Sequence, residues 1–257
     1  RVVLRAANTI AAFEDTLRFE RARRPLRFVE LELDRMASRS AAEQEKWLSA
    51  LLPRLRLLRA NAVVVNPFSG DGRHAFFQND RIPLRADVLH RILHQIRTRA
   101  AVDYLLLWIP AVPGVAQAAI ELARRHPYDV VLLAAGHGQA DAVLLRKLFE
   151  FYRPGVRCGG EQGATWPVCR DFVAVSVDPR HAAGNPVAKQ EASTPVYFLL
   201  QNRPDDAGEQ VVKALHGLRS GGARHFGLRD GAFLDNPDNL RRVASELAGH
   251  TMLRSRY

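Results

Sequence analysis

Four carboxylates in this chain stand just past short apolar runs: Asp34 after Phe28–Leu33, Asp71 after Val63–Val65, Glu161 after Val156–Cys158, and Asp178 after Phe172–Val177. Glycosidases commonly use two carboxyl groups flanking a scissile bond, one as acid and one as base or nucleophile. These residues offer such a pair, with Asp71 the first candidate if the chain is catalytic. Each taken alone is as readily a helix cap or an acceptor for loop amides. Trp108 can stack on a sugar face, although Leu107 and Ile109 beside it also suit a core position. His137, between Gly136 and Gly138, has no serine or cysteine nucleophile motif beside it and reads as a surface-loop histidine. The same three residues are too short to cradle a phosphate. Cys158 and Cys169 lie close enough in sequence for a local disulfide; two thiols without a histidine pair make no zinc site. No metal or cofactor is expected.

The elements that must position these groups centre on residues 61–110. Val63–Val65 is a β-branched strand, and Asn66-Pro67 and Gly70-Asp71-Gly72 are turn chemistry. Val88, Leu89, Ile92, Leu93 and Ile96 recur at helical spacing, and Leu105–Ile109 is a second buried strand. A parallel pair joined by a helix carries its functional loop after the first strand, here Asn66–Asp80.

The same alternation runs along the chain. Strands are expected near 28, 63, 105, 129, 156, 172, 196 and 224. Helices are expected at Ala41–Arg59 (with Pro53 as a kink or break), from Val88, and at Val115–Arg125, Ala140–Tyr152, Asp206–Leu218 and Asp238–Ala248. Eight β–α repeats in 257 residues favour a (β/α)8 barrel over an open sheet. It should be irregular around strands 5 and 6, where Gly159–Pro167 and His181–Thr194 stand in place of helices. Residues 1–26, with an amphipathic stretch from Asn8, read as a connector ahead of a barrel over 27–257. The C-terminal strand ends then give a site inventory of Asp34, Asn66 to Asp71, Trp108, Ala134 to His137, Gly160-Glu161, Asp178, Gln201 and Arg229-Asp230.

No apolar run reaches membrane-spanning length, and the chain opens on Arg1 with no signal peptide. The formal charge is +10 and the pI about 10.4. Such a surface favours anionic partners, but the arginines are scattered through every helix, with no nucleic-acid motif.

Phe68-Ser69-Gly70-Asp71-Gly72, the segment Phe77–Asp87, Gln95–Ala100 and Trp108-Ile109-Pro110 resemble the C-terminal glycoside-hydrolase-like domain of the PgaB-type poly-β-1,6-N-acetylglucosamine N-deacetylases. The resemblance implies a (β/α)8 fold, a periplasmic or secreted setting, and a place in exopolysaccharide export and biofilm formation. Of the family's positions the chain keeps Asp34, Phe68, Asp71, Trp108, Pro110 and Gln201, with the region of Phe233. Asp34, Phe68, Asp71, Trp108 and Gln201, together with Asn66 and Asp178 from the strand-end inventory, are the candidate saccharide-binding positions. The family's His-Asp-Asp after the fourth strand falls on Ala134-Ala135-Gly136, and its Arg-Asn after the fifth on Gly160-Glu161. Its tyrosine pair after the eighth falls on Leu228-Arg229, and a tryptophan becomes Asp205. The acidic loop after the second strand keeps only Asp71.

The losses gather at the cleft, so the leading expectation is a degenerate hydrolase-like barrel that binds polysaccharide or a secretion partner protein without cutting glycan. The excess of positive charge and the lost acids argue against a firm hold on a cationic, partly deacetylated polymer. A second reading is an active endo-glycosidase pairing Asp71 with Asp34 or Asp178. A third is a basic module that docks on an acidic membrane or protein surface.

Overall fold

The computed structural model describes residues 25–99, 102–126, 128–164, 166–181 and 194–248. The helix expected from Asn8 and most of the His181–Thr194 loop lie outside these residues. Eight strands, β1 (Arg27–Leu31), β2 (Ala62–Val65), β3 (Tyr104–Ile109), β4 (Val130–Leu133), β5 (Arg157–Glu161), β6 (Val173–Val177), β7 (Val196–Leu200) and β8 (His225–Asp230), close into a barrel in chain order. All eight neighbouring pairs are parallel, with β8 returning to β1. The expected (β/α)8 fold is therefore present, and the expected strands lie within a residue or two of the observed ones.

The outer helices are α1 (Leu33–Ala37), α2 (Ala41–Leu57), α3 (Leu89–Arg99), α4 (Val115–Arg125), α5 (Gln139–Tyr152), α6 (Gly208–Ser220), α7 (Ala232–Asp235) and α8 (Pro237–Ala248). Ser40 and Glu43 cap the start of α2 reciprocally: the Glu43 amide donates to Ser40 Oγ, and the Ser40 amide to Glu43 Oε2. Two expectations are corrected here. Strand β1 stops at Leu31, and Leu33–Ala37 coils into α1, so Asp34 sits in a helical turn and not at a strand end. Of the kink or break expected at Pro53 the break does not occur: helix α2 runs on, because packing of Trp47, Leu48, Leu51 and Leu55 holds a helix whose ladder lacks one hydrogen bond. Between β5 and β6 no helix intervenes among the described residues, as expected.

Strand alternation separates two cores. Val29, Leu31, Val63, Val65, Leu105 and Leu107 face outward to the helices. Phe28, Ala62, Val64, Tyr104, Leu106, Val130, Leu132, Phe172, Ala174 and Tyr197 fill the lumen. Large and small residues interlock in that lumen. A Cβ on Gly227 would lie 2.0 Å from a ring carbon of Phe28, and one on Gly159 would lie 2.6 Å from the Phe172 ring. Tyr197 stacks on Phe172 with ring centroids 4.2 Å apart. Below them Arg157 lies 5.7 Å from the Tyr104 ring and 5.9 Å from that of Tyr197.

A disulfide joins Cys158 of β5 to Cys169. It staples the connection that takes the place of a helix, by closing a loop in the unfolded chain. Within that connection Trp166 lies against Gly160, donates from Nε1 to the His137 carbonyl at 2.8 Å, and packs edge-on to the His137 ring.

Candidate functional site

At the C-terminal mouth of the barrel a cavity of about 540 Å³ opens above the aromatic packing of the lumen. Its floor is Phe28, Phe172 and Tyr197; its wall carries Trp108, Phe68, Asn66, Gln201 and Ser176. Its charged members are Glu30, Glu32, Asp34 and Glu161 against Arg35 and Arg229. Acids outnumber arginines four to two in the lining, with Arg85 paired to Asp34 from outside it, so the mouth of this basic protein is locally acidic by a small margin. The argument from overall charge against a cationic ligand does not hold at this site, because nearby groups dominate a half-enclosed cavity.

Asp34, Asn66, Phe68, Trp108, Glu161 and Gln201 line this cavity; Asp71 and Asp178 do not. Asp34 accepts the Gly70 amide at 2.9 Å and pairs with Arg85, tying α1 to the long loop after β2. Asn66 Oδ1 accepts the Phe68 amide at 3.0 Å, and Phe68 itself is buried against Phe77. Trp108 Nε1 donates to Glu161 Oε1 at 3.0 Å, and the Ala135 amide donates to Glu161 Oε2 at 3.2 Å. An alanine backbone thus supports a carboxylate beside the positions where acids are absent.

Asp71 folds its own loop. Ser69 Oγ donates to Asp71 Oδ1 at 2.6 Å and the Arg73 amide at 3.1 Å, and these hydrogen bonds hold the carboxyl below its usual range. The neighbouring Gly72 has φ +69°, and a Cβ there would lie 2.5 Å from Val112, so this turn requires glycine. Asp178 is likewise occupied: the Arg180 amide donates to it at 2.9 Å and lowers its pKa, with Arg203 and His181 each 3.5 Å away. His137 is buried, with Nε2 3.0 Å from the Ile109 carbonyl to which it donates; the expected surface histidine is a packing residue under Trp166.

Two acids escaped the strand-end reading. Glu30 and Glu32 alternate with Leu31 and Leu33, and the strand was read through to Leu33, which turned attention to Asp34. In a barrel, an acid alternating with outward-facing leucines points into the lumen, so the signal was present. Arg229 Nε lies 3.3 Å from Glu30 Oε2 and 3.7 Å from Glu32 Oε1, and the guanidinium also donates to Gln201. Burial pushes Glu30 above the usual carboxylate range against the pull of Arg229, and the charge of Glu161 adds to the rise. Burial likewise raises Glu32, again opposed by Arg229. Among the described residues no cluster of three or more histidine, cysteine or acidic side chains is arranged to hold a metal ion.

A family model described as hypothetical glycosyl hydrolase family 13 matches residues 30–128, the stretch from Glu30 through β3 to the end of α4. The poly-β-1,6-N-acetyl-D-glucosamine N-deacetylase of Escherichia coli strain K12 is 24% identical over 115 residues, 43% of this chain and 17% of that protein. The glycoside hydrolase domain of PgaB (BpsB) from Bordetella bronchiseptica superposes with a TM-score of 0.72, covering 86% of this chain and 98% of that domain at 18% identity. This chain resembles the PgaB-type C-terminal domain. The likeness to that domain's structure is one of fold. The α-L-fucosidase AlfC of Lactobacillus casei shares the fold more distantly, with a TM-score of 0.60 at 8% identity over 89% of this chain and 95% of that one. The chain spans 17% of the length of the E. coli deacetylase, so the PgaB-type likeness concerns one domain.

Proposed function

We propose that the mouth of this barrel binds a poly-β-1,6-linked glucosamine polymer, prefers units with free amines, and holds the chain without cutting it. The observation that carries this reading is the cavity lining: four carboxylates to two arginines around a tryptophan, in a protein of net charge +10. A sugar face stacks on an indole, and a protonated amine gains most from carboxylates in a partly desolvated cup. The E. coli relative is named for removing acetyl groups from such a polymer, which would leave amines of this kind. The alanines at 134 and 135 and the engagement of Asp34 and Glu161 by amide donors favour binding over turnover. The Cys158–Cys169 disulfide fits a periplasmic or secreted setting, and with it a role in exopolysaccharide export and biofilm formation beside secretion proteins.

A second reading is hydrolysis with Glu30 as acid and Glu161 as its partner. It is favoured by the burial that keeps the Glu30 proton to higher pH. Binding and endpoint digestion of acetylated and partly deacetylated poly-β-1,6-glucosamine, read by calorimetry and mass spectrometry, separate these readings. Binding of the partly deacetylated polymer is expected to be about tenfold tighter and to weaken by a similar factor in Glu161→Gln, with chain lengths unchanged. Equal affinity for both polymers would remove the binding proposal. Shortened chains that disappear in both Glu30→Gln and Glu161→Gln would replace it with the hydrolytic one.

A further inference from the structure

The end of the barrel opposite the mouth carries the other half of the charge pattern. Because every strand is parallel, each helix that leads into a strand returns the chain to the same end. Helices α2, α3, α4, α5 and α6 all stop five positions before the next strand begins. Basic residues favour helix C-termini because they complement the negative end of the helix dipole. Here that local preference has a global result. Arg56 at the end of α2, Arg97 and Arg99 of α3, Arg124 and Arg125 of α4, and Arg219 of α6 come to one face. Arginines scattered along the sequence become a ring in space.

Arg56, Arg99 and Arg124 make no ion pair with a described residue, whereas Arg219 is paired with Glu246. Arg56 donates to the carbonyl of Arg99 at 2.9 Å, and Arg125 donates to the carbonyl of Gln78 at 3.1 Å. Of the acids at this end, Asp129, Asp171 and Glu246 are each bound by an arginine, namely Arg153, Arg146 and Arg219; Asp103 is engaged as well, and Glu150 completes the set among the described residues. At the same end Arg27 loses proton affinity, first through burial and then through the charges of Arg219 and Arg59, so the local field is positive.

Apolar side chains project from this ring. The two most exposed large apolar residues among those described are Phe151, 77% exposed at the end of α5, and Leu57, 48% exposed at the end of α2. Tyr152 packs edge-on to Phe151. Two helices, α3 and α4, separate α2 from α5 around the barrel, so these two residues mark separated points on a face, not the walls of one groove. Residues 1–24 carry six arginines and three acids, so their composition adds to the positive charge of the chain.

We propose that this basic end docks on an anionic phospholipid surface, with the arginines among the headgroups and Phe151 and Leu57 entering the headgroup–acyl boundary. Guanidinium groups meet lipid phosphates, and isolated apolar side chains on a convex face suit a fluid boundary layer. An acidic protein surface would match the charge but supplies no reason for two separated apolar points.

The test is co-sedimentation of the chain with phosphatidylcholine vesicles containing or lacking phosphatidylglycerol, at low and high salt. The expected result is binding to the anionic vesicles alone, lost at high salt. The triple variant Arg56→Glu/Arg99→Glu/Arg124→Glu, with its fold checked by thermal melting, should bind at least about tenfold more weakly. Phe151→Ser should weaken binding a few-fold while the salt dependence remains. Binding to neutral vesicles as strong as to anionic ones, or an unaffected triple variant that is still folded, would overturn the proposal. So would absence of vesicle binding together with capture of polyglutamate, which would assign the face to a protein partner. If the triple variant fails to fold, the salt dependence of the wild type and the loss in Phe151→Ser still decide between these outcomes.

Discussion

The two ends of this barrel are built from the same strands and differ in sign. At the mouth, Glu30, Glu32, Asp34 and Glu161 face a cavity with two arginines. At the opposite end, helix termini gather arginines around exposed Phe151 and Leu57. A net charge of +10 describes neither end. Parallel topology does the sorting, because every helix that leads into a strand ends at one face and every strand at the other. Charge therefore has to be assigned to an end before it says anything about a ligand.

The largest expected effect separates the ends by burial. Arg54, one turn before the end of α2, reaches up to pair with the buried Asp230 at the end of β8, and also bonds Asp235 at 3.2 Å. Arg54→Met strands the Asp230 carboxyl, already raised by burial, and should cost about 3–5 kcal/mol in urea unfolding. The same exchange at exposed Arg124 should stay within about 0.5 kcal/mol. Equal losses at the two positions would end the contrast between a fixed end and a solvated one.

Smaller effects appear as opposite pH dependences. Burial lowers His126 and His225 to about 4, helped by His90 at the first and Arg157 at the second, while their ordinary value is 6.5. As pH falls from about 6.5 toward about 4, the unfolded chain takes up protons that the folded chain refuses, so stability is lost toward acid. Glu30, Glu32 and Asp230 have raised values and act in reverse. As pH rises from the ordinary carboxylate range through their folded values, the folded chain keeps protons that the unfolded chain has released, and stability falls. An unfolding series across this range should therefore lose much of its acid-side slope in His225→Gln, the rest staying with His126, and part of its upper-side loss in Glu30→Gln. The histidine effect is on the order of 2 kcal/mol for His225 and less for half-buried His126.

The smallest expected effect is at Asp71. Its carboxylate is exposed, serves its own turn and stands outside the cavity. Asp71→Asn should change polymer affinity less than twofold or so, where Glu161→Gln changes it about tenfold. A larger loss in Asp71→Asn would move the binding surface from the mouth to the loop.

Much of the fold was legible because β–α alternation is a strong periodic signal, and Val63–Val65, Leu105–Ile109 and Val115–Arg125 emerged within a residue or so of their observed bounds. The site was less legible. A strand end locates a loop but not the direction of its carboxylate: Asp34 faces the cavity while Asp71 and Asp178 accept hydrogen bonds from their own turns. Glu30 was overlooked because it lies within a strand, where its inward direction follows from alternation once a closed barrel is assumed. The ring of arginines has no sequence signature, since its members are brought together by topology alone. His137 looked exposed because its flanking glycines suggested a loose loop, while the residue that covers it, Trp166, lies far along the chain.

The packing beneath the cavity also limits how a long glycan is met. Phe28 fills the space that any side chain at position 227 would need, and Phe172 and Tyr197 close the rest of the bore. The mouth is a blind cup, so a polymer bound there as proposed would have no passage through the barrel and would lie across the rim with a unit or a terminus dipped inside. Recognition of that kind is counted in sugar residues: affinity should climb over the first few units of an oligosaccharide series and then level off, however long the chain becomes.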